Sequence, residues 1–339
     1  MNRFRNSAER DLDAPPAVVD VHQHLWPASL IEALRSRSAP PRLRGWTLEL
    51  AGESDYEVDA RAHDPGERAE QARADGLDLA LVSLSSPLGI ESLARAEAAE
   101  LLDAYHEGAL GLPEPFGAWA AACLTDVDPG ALSRELGRGF AGLQLPATAL
   151  LDRAGYDNVR PLLELLEEAG LPLLVHPGPA GATVAGRTGD RDSPAGTAAP
   201  DEVPAWWAAM VPYVAQMHAS WFAFGVHGRP RHPRLRVCFA MLAGLAPLHG
   251  ERFAARAGDR CVIDPDVFLE VSSYGTRAID AVVRVLGIDA LVNGSDRPYA
   301  DPVSADLGPA ALHALRSANP IRLLYPKEVF DDLAIASPA

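Results

Sequence analysis

Three histidines and one aspartate occupy positions from which their side chains could bind a metal ion. His22 and His24 lie two residues apart in an early apolar run, and His176 and Asp296 lie in two later apolar runs. On an extended strand, residues i and i+2 point to the same face, so the first two imidazoles would project together. Imidazole nitrogens and a carboxylate oxygen suit Zn²⁺ or another divalent first-row ion, with a position left for water. The four residues therefore predict a metal site.

Eight short apolar runs alternate with stretches of helical character. Such runs are typical of strands buried on both faces of a parallel sheet. Between two of them, residues 158–170 place leucines on one stripe and end at Gly170, as a crossover helix would. Eight alternations predict an α/β fold, the (β/α)₈ TIM barrel. The predicted strands are residues 17–26, 77–85, 116–124, 139–147, 171–178, 235–242, 267–274 and 290–298.

A barrel would bring the four candidate ligands together. In this fold, functional groups project from the carboxyl ends of the strands. The first and eighth strands are neighbours in a closed barrel, so Asp296 can approach His22 and His24, while His176 reaches across from the fifth strand. A lone histidine at a strand end is usually structural, and a lone aspartate often caps a helix. Their joint placement favours the metal interpretation.

Two connecting segments are longer than ordinary loops. Residues 27–75, after the first strand, are predicted to include a small hairpin, and residues 178–203, after the fifth, are rich in Gly, Pro, Ala and Asp, as a lid loop would be. We expect one barrel domain over residues 1–339, with a polar extension at 1–16, the barrel at about 17–325 and a tail at 326–339.

Composition excludes several classes of function. The net charge of −16 would repel phosphate backbones, so we expect no nucleic-acid partner. Lys327 is the only lysine, which argues against a Schiff-base lysine in the barrel and excludes a Walker phosphate loop. Three widely spaced cysteines, the absence of an apolar signal region and the lack of a membrane-length apolar run favour a cytoplasmic protein that does not enter membranes.

Three motifs resemble a known family. DVHQHLWP, LLVHPG and NGSDRPY are similar to the first, fifth and eighth strand motifs of the amidohydrolase superfamily, in particular of its amidohydrolase-related branch. That branch includes aminocarboxymuconate-semialdehyde decarboxylase, the dihydroxybenzoate decarboxylases and several lactone hydrolases. The resemblance extends from about residue 17 to Leu324, and it implies that His22, His24, His176 and Asp296 match the metal ligands of the family. Dimers are common in that branch, so a homodimer is expected by analogy alone.

The chain departs from the family pattern at two places. Many amidohydrolases bridge two metals with a carboxylated lysine on the fourth strand, but here that strand reads GFAGLQLPA. A lysine-bridged pair of metals is therefore excluded, and a single ion is expected. The sixth strand of the family usually ends in histidine, whereas this chain has Met241 there. The change removes a residue that the decarboxylases are thought to use as a base or substrate contact.

Hydrolysis fits these residues best at the level of sequence. A metal ion lowers the pKa of bound water and polarises a carbonyl, and Asp296 could take the proton of that water as a general base. We therefore predict a metal-dependent hydrolase of a small lactone, ester or amide. The alternative is a metal-dependent, non-oxidative decarboxylase of a small carboxylic acid. A second alternative is a catalytically silent barrel that binds a metal or a small ligand.

Four further side chains are candidates for substrate contact. Trp26, Tyr274 and Arg297 lie beside predicted strand ends, and His218 lies on the helix predicted before the sixth strand. Arg297 could bind a substrate carboxylate or form an ion pair that closes the barrel. Tyr274 could donate to a substrate oxygen or pack beneath the lid. His218 shares its helix face with apolar residues, which favours a packing role.

We predict one divalent metal ion per chain, with zinc expected and manganese or another first-row ion as the alternative. The reason is a single set of four ligands without a bridging lysine. Elemental analysis of protein purified without chelator measures the stoichiometry. Two tightly bound ions per chain, or none under any loading condition, would contradict the prediction.

Overall fold

The computed structural model describes residues 18–51, 53, 55–181, 204, 206–258, 263–302 and 306–325. Eight of its strands are parallel, and each lies within one of the predicted runs; β2, β3 and β4 belong to the insertion after the first strand. In chain order the strands are β1 (Val19–Gln23), β2 (Arg42–Arg44), β3 (Thr47–Glu49), β4 (Tyr56–Glu57), β5 (Leu79–Val82), β6 (Phe116–Ala118), β7 (Leu143–Pro146), β8 (Leu173–His176), β9 (Val237–Phe239), β10 (Val267–Glu270) and β11 (Leu291–Val292).

Helices follow the parallel strands as the alternation predicts. They are α1 (Ala28–Ser36), α2 (Pro65–Ala74), α3 (Arg95–Leu110), α4 (Pro129–Arg138), α5 (Arg153–Ala169), α6 (Trp207–Met210), α7 (Pro212–Ala223), α8 (Gly250–Ala257), α9 (Thr276–Leu286), α10 (Pro309–His313) and α11 (Asn319–Leu324).

Local sequence signals set several helix ends. Asp64, Asp128 and Asp152 precede α2, α4 and α5, and the carboxylate of each accepts the N–H three residues further on. These bonds satisfy donors that the first helical turn leaves free. α5 ends at Gly170, whose φ of 62° is the left-handed conformation that glycine adopts readily. The predicted end of this helix is confirmed.

The parallel strands close into a ring. Their order is β1-β5-β6 in one group and β7-β8-β9-β10-β11 in the other. A parallel bridge between Ala120 and Leu143 joins β6 to β7, and a second between Gln23 and Arg297 joins the end of β11 to β1. The predicted TIM barrel is therefore confirmed, with apolar side chains filling its interior below the carboxyl ends of the strands. This inner cluster contains Val19, Val21, Leu81, Trp119, Ala141, Leu174, Cys238, Phe268, Val292, Leu323 and Leu324.

The insertion after β1 contains the predicted hairpin. β3 and β4 pair antiparallel through Thr47 with Glu57 and Leu48 with Tyr56, and β2 adds a third strand. The predicted lid after β8 is described as far as residue 181, and its residues 182–203 lie outside the described residues, as do the extension 1–16 and the tail 326–339. No helix in the described part is long and apolar enough to cross a membrane.

A buried polar cluster lies behind the loop that follows β5. The Ser86 hydroxyl donates to Glu91 Oε1, and Gln144 Nε2 donates to Ser86 Oγ at 2.6 Å and to the Leu84 carbonyl at 2.7 Å. Glu91 is 1% exposed, and its Oε2 has no hydrogen-bond partner in the described part of the chain. Burial raises the pKa of Glu91 to about 7, because the charged carboxylate is poorly solvated there.

Glu91→Gln should stabilise the protein at alkaline pH. The folded-state pKa lies above the usual 4.5, so the wild type loses stability as pH rises from about 4.5 through 7. Glutamine resembles the protonated acid and does not titrate, so the variant should gain about 2 kcal/mol relative to wild type between pH 5 and pH 8. Urea unfolding at both pH values measures this change. Glu164→Gln, a substitution of an exposed glutamate, serves as the control. If the difference in unfolding free energy between Glu91→Gln and wild type were the same at pH 5 and pH 8, the prediction would be contradicted.

Candidate metal centre

Each predicted metal ligand lies at the carboxyl end of a barrel strand. His22 lies in β1 and His24 directly follows that strand, while His176 is the last residue of β8. Asp296 lies in the loop after β11. The four ligand atoms all lie within 4.8 Å of one another, and the three histidines are buried. The barrel thus brings together residues from three separate parts of the sequence.

A bulge in β1 helps to orient its two histidines. Asp20 pairs with Ala80 of β5, whereas Gln23 pairs with Val82, so β1 carries one extra residue between these points. A bulge bends the strand and changes where its side chains point. Simple alternation along a regular strand, on which the sequence prediction relied, does not include this adjustment.

Asp296 is held beside β1 by its own backbone. Its N–H donates to the carbonyl of His22 at 2.9 Å, and the N–H of Ser295 donates to the same oxygen at 3.2 Å. Asp296 has a φ of 59°, a left-handed conformation that aspartate tolerates better than most residues with a Cβ. The loop therefore turns sharply at this residue and places its carboxylate over the histidines.

The distances between ligand atoms suit a single ion. His24 Nε2 lies 3.1 Å from His22 Nε2 and 3.2 Å from His176 Nε2. Asp296 Oδ1 lies 3.2 Å from His24 Nε2 and 3.7 Å from His22 Nε2. Ligands about 2.0–2.2 Å from a tetrahedral ion are separated by similar distances.

The hydrogen bonds on the far side of each ring fix its tautomer. Every Nδ1 faces an oxygen that can only accept, so each neutral ring carries its proton on Nδ1 and directs the lone pair of Nε2 into the cluster. Three lone pairs and a carboxylate at one point repel one another unless a cation lies between them. The pairs are His22 with Glu270 Oε2 (3.1 Å), His24 with the Ser83 carbonyl (3.1 Å) and His176 with the Pro177 carbonyl (2.8 Å).

Burial and the neighbouring charges shift the pKa values of the four candidate ligands in different directions. Burial opposes protonation of His22, but the hydrogen bond to Glu270 and the charges of Glu270 and Asp296 raise its pKa to about 8. Burial lowers the pKa of His24 and lowers that of His176 well below its usual value. Burial would raise the pKa of Asp296, but the hydrogen bond to His24 and the three imidazoles lower it.

Sequence reasoning missed the charged residues that support this cluster. Asp20 is 2% exposed and accepts hydrogen bonds from the N–H groups of His22 and Ser295, both at 3.1 Å. Arg68 is 4% exposed, and its guanidinium donates to the His24 carbonyl at 3.0 Å and to Gln23 Oε1 at 2.6 Å. Asp20 could have been found from the sequence, because a charged residue inside an apolar strand needs a specific partner.

Two of the predicted substrate contacts have structural partners. Trp26 is 1% exposed, donates from Nε1 to Ser85 Oγ at 3.0 Å and stacks on His63 with ring centroids 4.6 Å apart. The Arg297 guanidinium forms an ion pair with the Asp75 carboxylate, which is one of the two roles that the sequence left open.

The other two predicted contacts are partly buried. The Tyr274 side chain packs against the hydrophobic core, and burial raises the pKa of its hydroxyl. His218 lies on α7, where its ring is 5.1 Å from Phe222 and 5.0 Å from His249. Its aromatic neighbours agree with a packing role.

Two other tyrosines are influenced by the charge of the cluster. The Tyr299 ring lies 5.3 Å from the His24 ring. Burial and the charge of Asp296 raise the pKa of the Tyr299 hydroxyl, and they outweigh the opposite effect of a contact with Ser85. Burial, and the nearby charges of residues that include Asp296, also raise the pKa of Tyr213 on α7. Both phenols therefore stay protonated and can donate hydrogen bonds near the cluster. Tyr299 ends the NGSDRPY motif and could have been found there, whereas no quoted motif contains Tyr213.

Comparison with known proteins rests on structure alone, because no protein-family model and no curated protein matches the chain. IDCase from Metarhizium anisopliae is similar at 17% identity over 95% of this chain and 98% of that chain, with a TM-score of 0.70. The 5-carboxyvanillate decarboxylase from Novosphingobium aromaticivorans is similar at 16% identity over 93% of this chain and 97% of that chain, with a TM-score of 0.65. Its structure was solved with manganese and 4-hydroxy-3-methoxy-5-nitrobenzoic acid. A protein described as amidohydrolase II is similar at 19% identity over 91% of this chain and 99% of that chain, with a TM-score of 0.64.

These similarities define the class of fold. The chain shares its (β/α)₈ barrel with these solved structures, one of which is described as amidohydrolase II, so the barrel fold implied by the resemblance of its strand motifs is confirmed. One of these three proteins is named a decarboxylase, and its structure contains manganese. At these identities the likeness concerns the fold, so the reaction has to be argued from the site.

His176→Ala should weaken metal binding by more than about 100-fold, whereas His218→Ala should change it only slightly. His176 Nε2 lies within the cluster, and losing a ligand costs more than the 10–100-fold typical of groups behind the ligands. His218→Ala is the matched control, since its ring contacts Phe222 and His249 instead. Titration of chelator-stripped protein with Mn²⁺ and Zn²⁺ measures both affinities. Equal losses in the two variants would contradict the prediction.

Proposed function

We propose that this chain is a mononuclear metal enzyme that removes CO₂ non-oxidatively from a small carboxylic acid. The observation that carries the proposal is the convergence of three imidazole Nε2 atoms and the Asp296 carboxylate on one point. His22, His24, His176 and Asp296 would hold one divalent ion, and its substrate would reach it from the side of Asp296. That residue is 23% exposed, whereas none of the three histidines exceeds 6%.

The donor set fits the proposed ion. The tautomers imposed by Glu270, Ser83 and Pro177 leave the Nε2 atoms free to coordinate. Nitrogen and oxygen donors suit both Zn²⁺ and Mn²⁺. The manganese found with 5-carboxyvanillate decarboxylase supports testing Mn²⁺ alongside the zinc expected from the sequence.

One argument supports decarboxylation over the hydrolysis predicted from the sequence. The similar proteins include enzymes named as decarboxylases of aromatic acids, 5-carboxyvanillate decarboxylase and 2,6-dihydroxybenzoate decarboxylase among them. The reaction also needs little machinery, because R–COO⁻ and H⁺ give R–H and CO₂ with one proton transfer to carbon. Asp296 is the carboxyl group of the cluster, and it can carry that proton.

The residues of the chain have separable roles in this reaction. A bound divalent ion would supply positive charge that draws electrons from the bond to be broken. Asp296 can take a proton from the substrate or from solvent and give it to the carbon that loses CO₂. Tyr299 and Tyr213 can donate hydrogen bonds to substrate oxygens. The buried histidines keep bulk water away from one side of the reacting group.

Hydrolysis of a lactone, ester or amide is the second candidate, and Met241 favours it. The thioether cannot exchange a proton, so this strand end does not supply the base or substrate contact that the family resemblance leads us to expect from a histidine. A hydrolase needs only Asp296 to move the proton of water to the leaving group.

Isotope labelling separates the two reactions. A panel of hydroxylated aromatic carboxylic acids and lactones is incubated with Mn²⁺- and Zn²⁺-loaded protein in D₂O and, separately, in H₂¹⁸O. Decarboxylation places one deuterium on the carbon that lost CO₂, and the product gains no ¹⁸O there. Hydrolysis instead places ¹⁸O in the product acid. We expect the labelling pattern of decarboxylation. Incorporation of ¹⁸O into the product without release of CO₂ would overturn the proposed decarboxylase and favour the hydrolase.

Asp296→Asn should abolish turnover while the fold is retained. The amide is nearly isosteric and still offers an oxygen to the metal, though more weakly because the charge is lost. It cannot accept and return a proton, so kcat should fall by about 10²–10⁴-fold. Kinetics at saturating metal separate this loss from weaker binding.

Met241→His is the complementary variant, because it changes the neighbouring strand end and leaves the four ligands in place. Its turnover, measured beside that of Asp296→Asn, shows whether a titratable group at residue 241 contributes. Near wild-type activity of Asp296→Asn would mean that another residue carries the proton.

A further inference from the structure

Glu270 is a charged residue buried at the end of β10, directly behind one of the proposed metal ligands. Its side chain is fully buried, and its Oε2 lies 3.1 Å from His22 Nδ1. The same oxygen accepts the N–H of Met241 at 3.1 Å and the hydroxyl of Ser272 at 2.8 Å, while Oε1 accepts the N–H of Ser272. All four contacts are hydrogen-bond donors, so the surroundings of Glu270 match a carboxylate that accepts on both oxygens.

The contact with His22 sets which nitrogen of that ring faces the cluster. A carboxylate at Nδ1 keeps the proton there and leaves the Nε2 lone pair for the ion. It also makes the ring a stronger electron donor, as carboxylates behind metal-bound histidines generally do. His24 and His176 have backbone carbonyls in the corresponding place, so His22 alone among the three rings has a full negative charge behind it.

The contact with Met241 fixes an unusual segment of backbone. The five residues Met241–Leu245 all have positive φ, between 44° and 62°, so the chain after β9 forms a left-handed turn. This conformation is unfavourable for residues that carry a Cβ, and it persists only where surrounding contacts hold it. Glu270 binds the first N–H of the turn. At the other side, α7 approaches so closely that a Cβ on Gly244 would lie 2.5 Å from the Val214 carbonyl oxygen.

Gly294 provides an independent sign that the position of Glu270 is specified. A Cβ added at Gly294 would lie 2.3 Å from Glu270 Cγ and 2.6 Å from its Cδ and Oε1. A residue with a side chain at 294 would therefore displace the carboxylate. The loop between β11 and Asp296 thus leaves the space that Glu270 needs behind His22.

We propose that Glu270 is a positioning residue that sets the donor geometry of His22 and, through the Met241 N–H, the backbone of the adjoining left-handed turn. The inference rests on the proposed metal function and deepens it. Glu270 contacts neither substrate nor ion, and it acts through His22. One carboxylate thereby couples a metal ligand to the strand end at which Met241 lies.

Glu270→Gln tests the proposal with metal binding as the readout. The amide nitrogen cannot accept a hydrogen bond, so at least one of the four donors loses its partner. Mn²⁺ affinity, measured from the electron paramagnetic resonance signal of free Mn²⁺, should fall by about 10–100-fold. The visible absorption spectrum of the Co²⁺-loaded variant should also change, because it reports the geometry of the ligands. Glu167→Gln is the matched control, a largely buried glutamate on α5 beside His232, and should leave both properties within twofold of wild type.

Two further variants keep the test decisive if Glu270→Gln does not fold. Ser272→Ala removes one donor and keeps the backbone N–H, so a smaller loss of Mn²⁺ affinity is expected. Gly294→Ala touches no proposed ligand side chain, yet it should weaken Mn²⁺ binding by displacing Glu270. Wild-type Mn²⁺ affinity and Co²⁺ spectrum in the folded variants would overturn the positioning role while leaving the metal site intact. A wild-type protein that binds neither Mn²⁺, Zn²⁺ nor Co²⁺ would overturn the proposed function as well.

Discussion

Pairing between β1 and the end of β11 places the first and last chemical groups of the chain side by side. The His22 carbonyl accepts the N–H groups of Ser295 and Asp296, so the loop that carries the aspartate is fixed to the strand that carries two histidines. Without ring closure, these groups would lie at opposite edges of an open sheet. The remaining ligand, His176, needs only the ordinary order of strands to face them.

The cost of burying so many polar groups explains the composition around the site. A charge taken out of water needs a partner, and an unpaired one is strongly unfavourable. Asp20, Arg68 and Glu270 each make several hydrogen bonds to backbone or side chains of the strand ends. The contact of Glu270 restricts the His22 ring, and the bonds of Asp20 and Arg68 restrict the backbone of His22 and His24, so less ordering is required when an ion binds. The same network leaves few titratable groups free for chemistry.

That scarcity narrows the reactions that the site can support. Among the described residues, Asp296 supplies the carboxyl group of the cluster, and its side chain is partly exposed. Tyr299 and Tyr213 have raised pKa values and remain protonated phenols. Decarboxylation and hydrolysis both need one proton carrier, and they differ in whether the proton ends on carbon or on a leaving group. The fold is shared with enzymes named as decarboxylases, whereas Met241 departs from the histidine that the family resemblance leads us to expect at that strand end.

The sequence by itself determined the barrel and the candidate ligands. Apolar runs of strand length recur eight times, and His22, His24, His176 and Asp296 fall at their ends because a parallel barrel presents its chemistry there. Only the tertiary structure decided which oxygen lies behind each imidazole, that Trp26 and Arg297 have structural partners, and that Glu270 joins His22 to Met241. Periodicity reports which face of an element is buried. Hydrogen bonds between strands far apart in sequence depend on register, bulges and the close approach of backbones, and no local pattern encodes these.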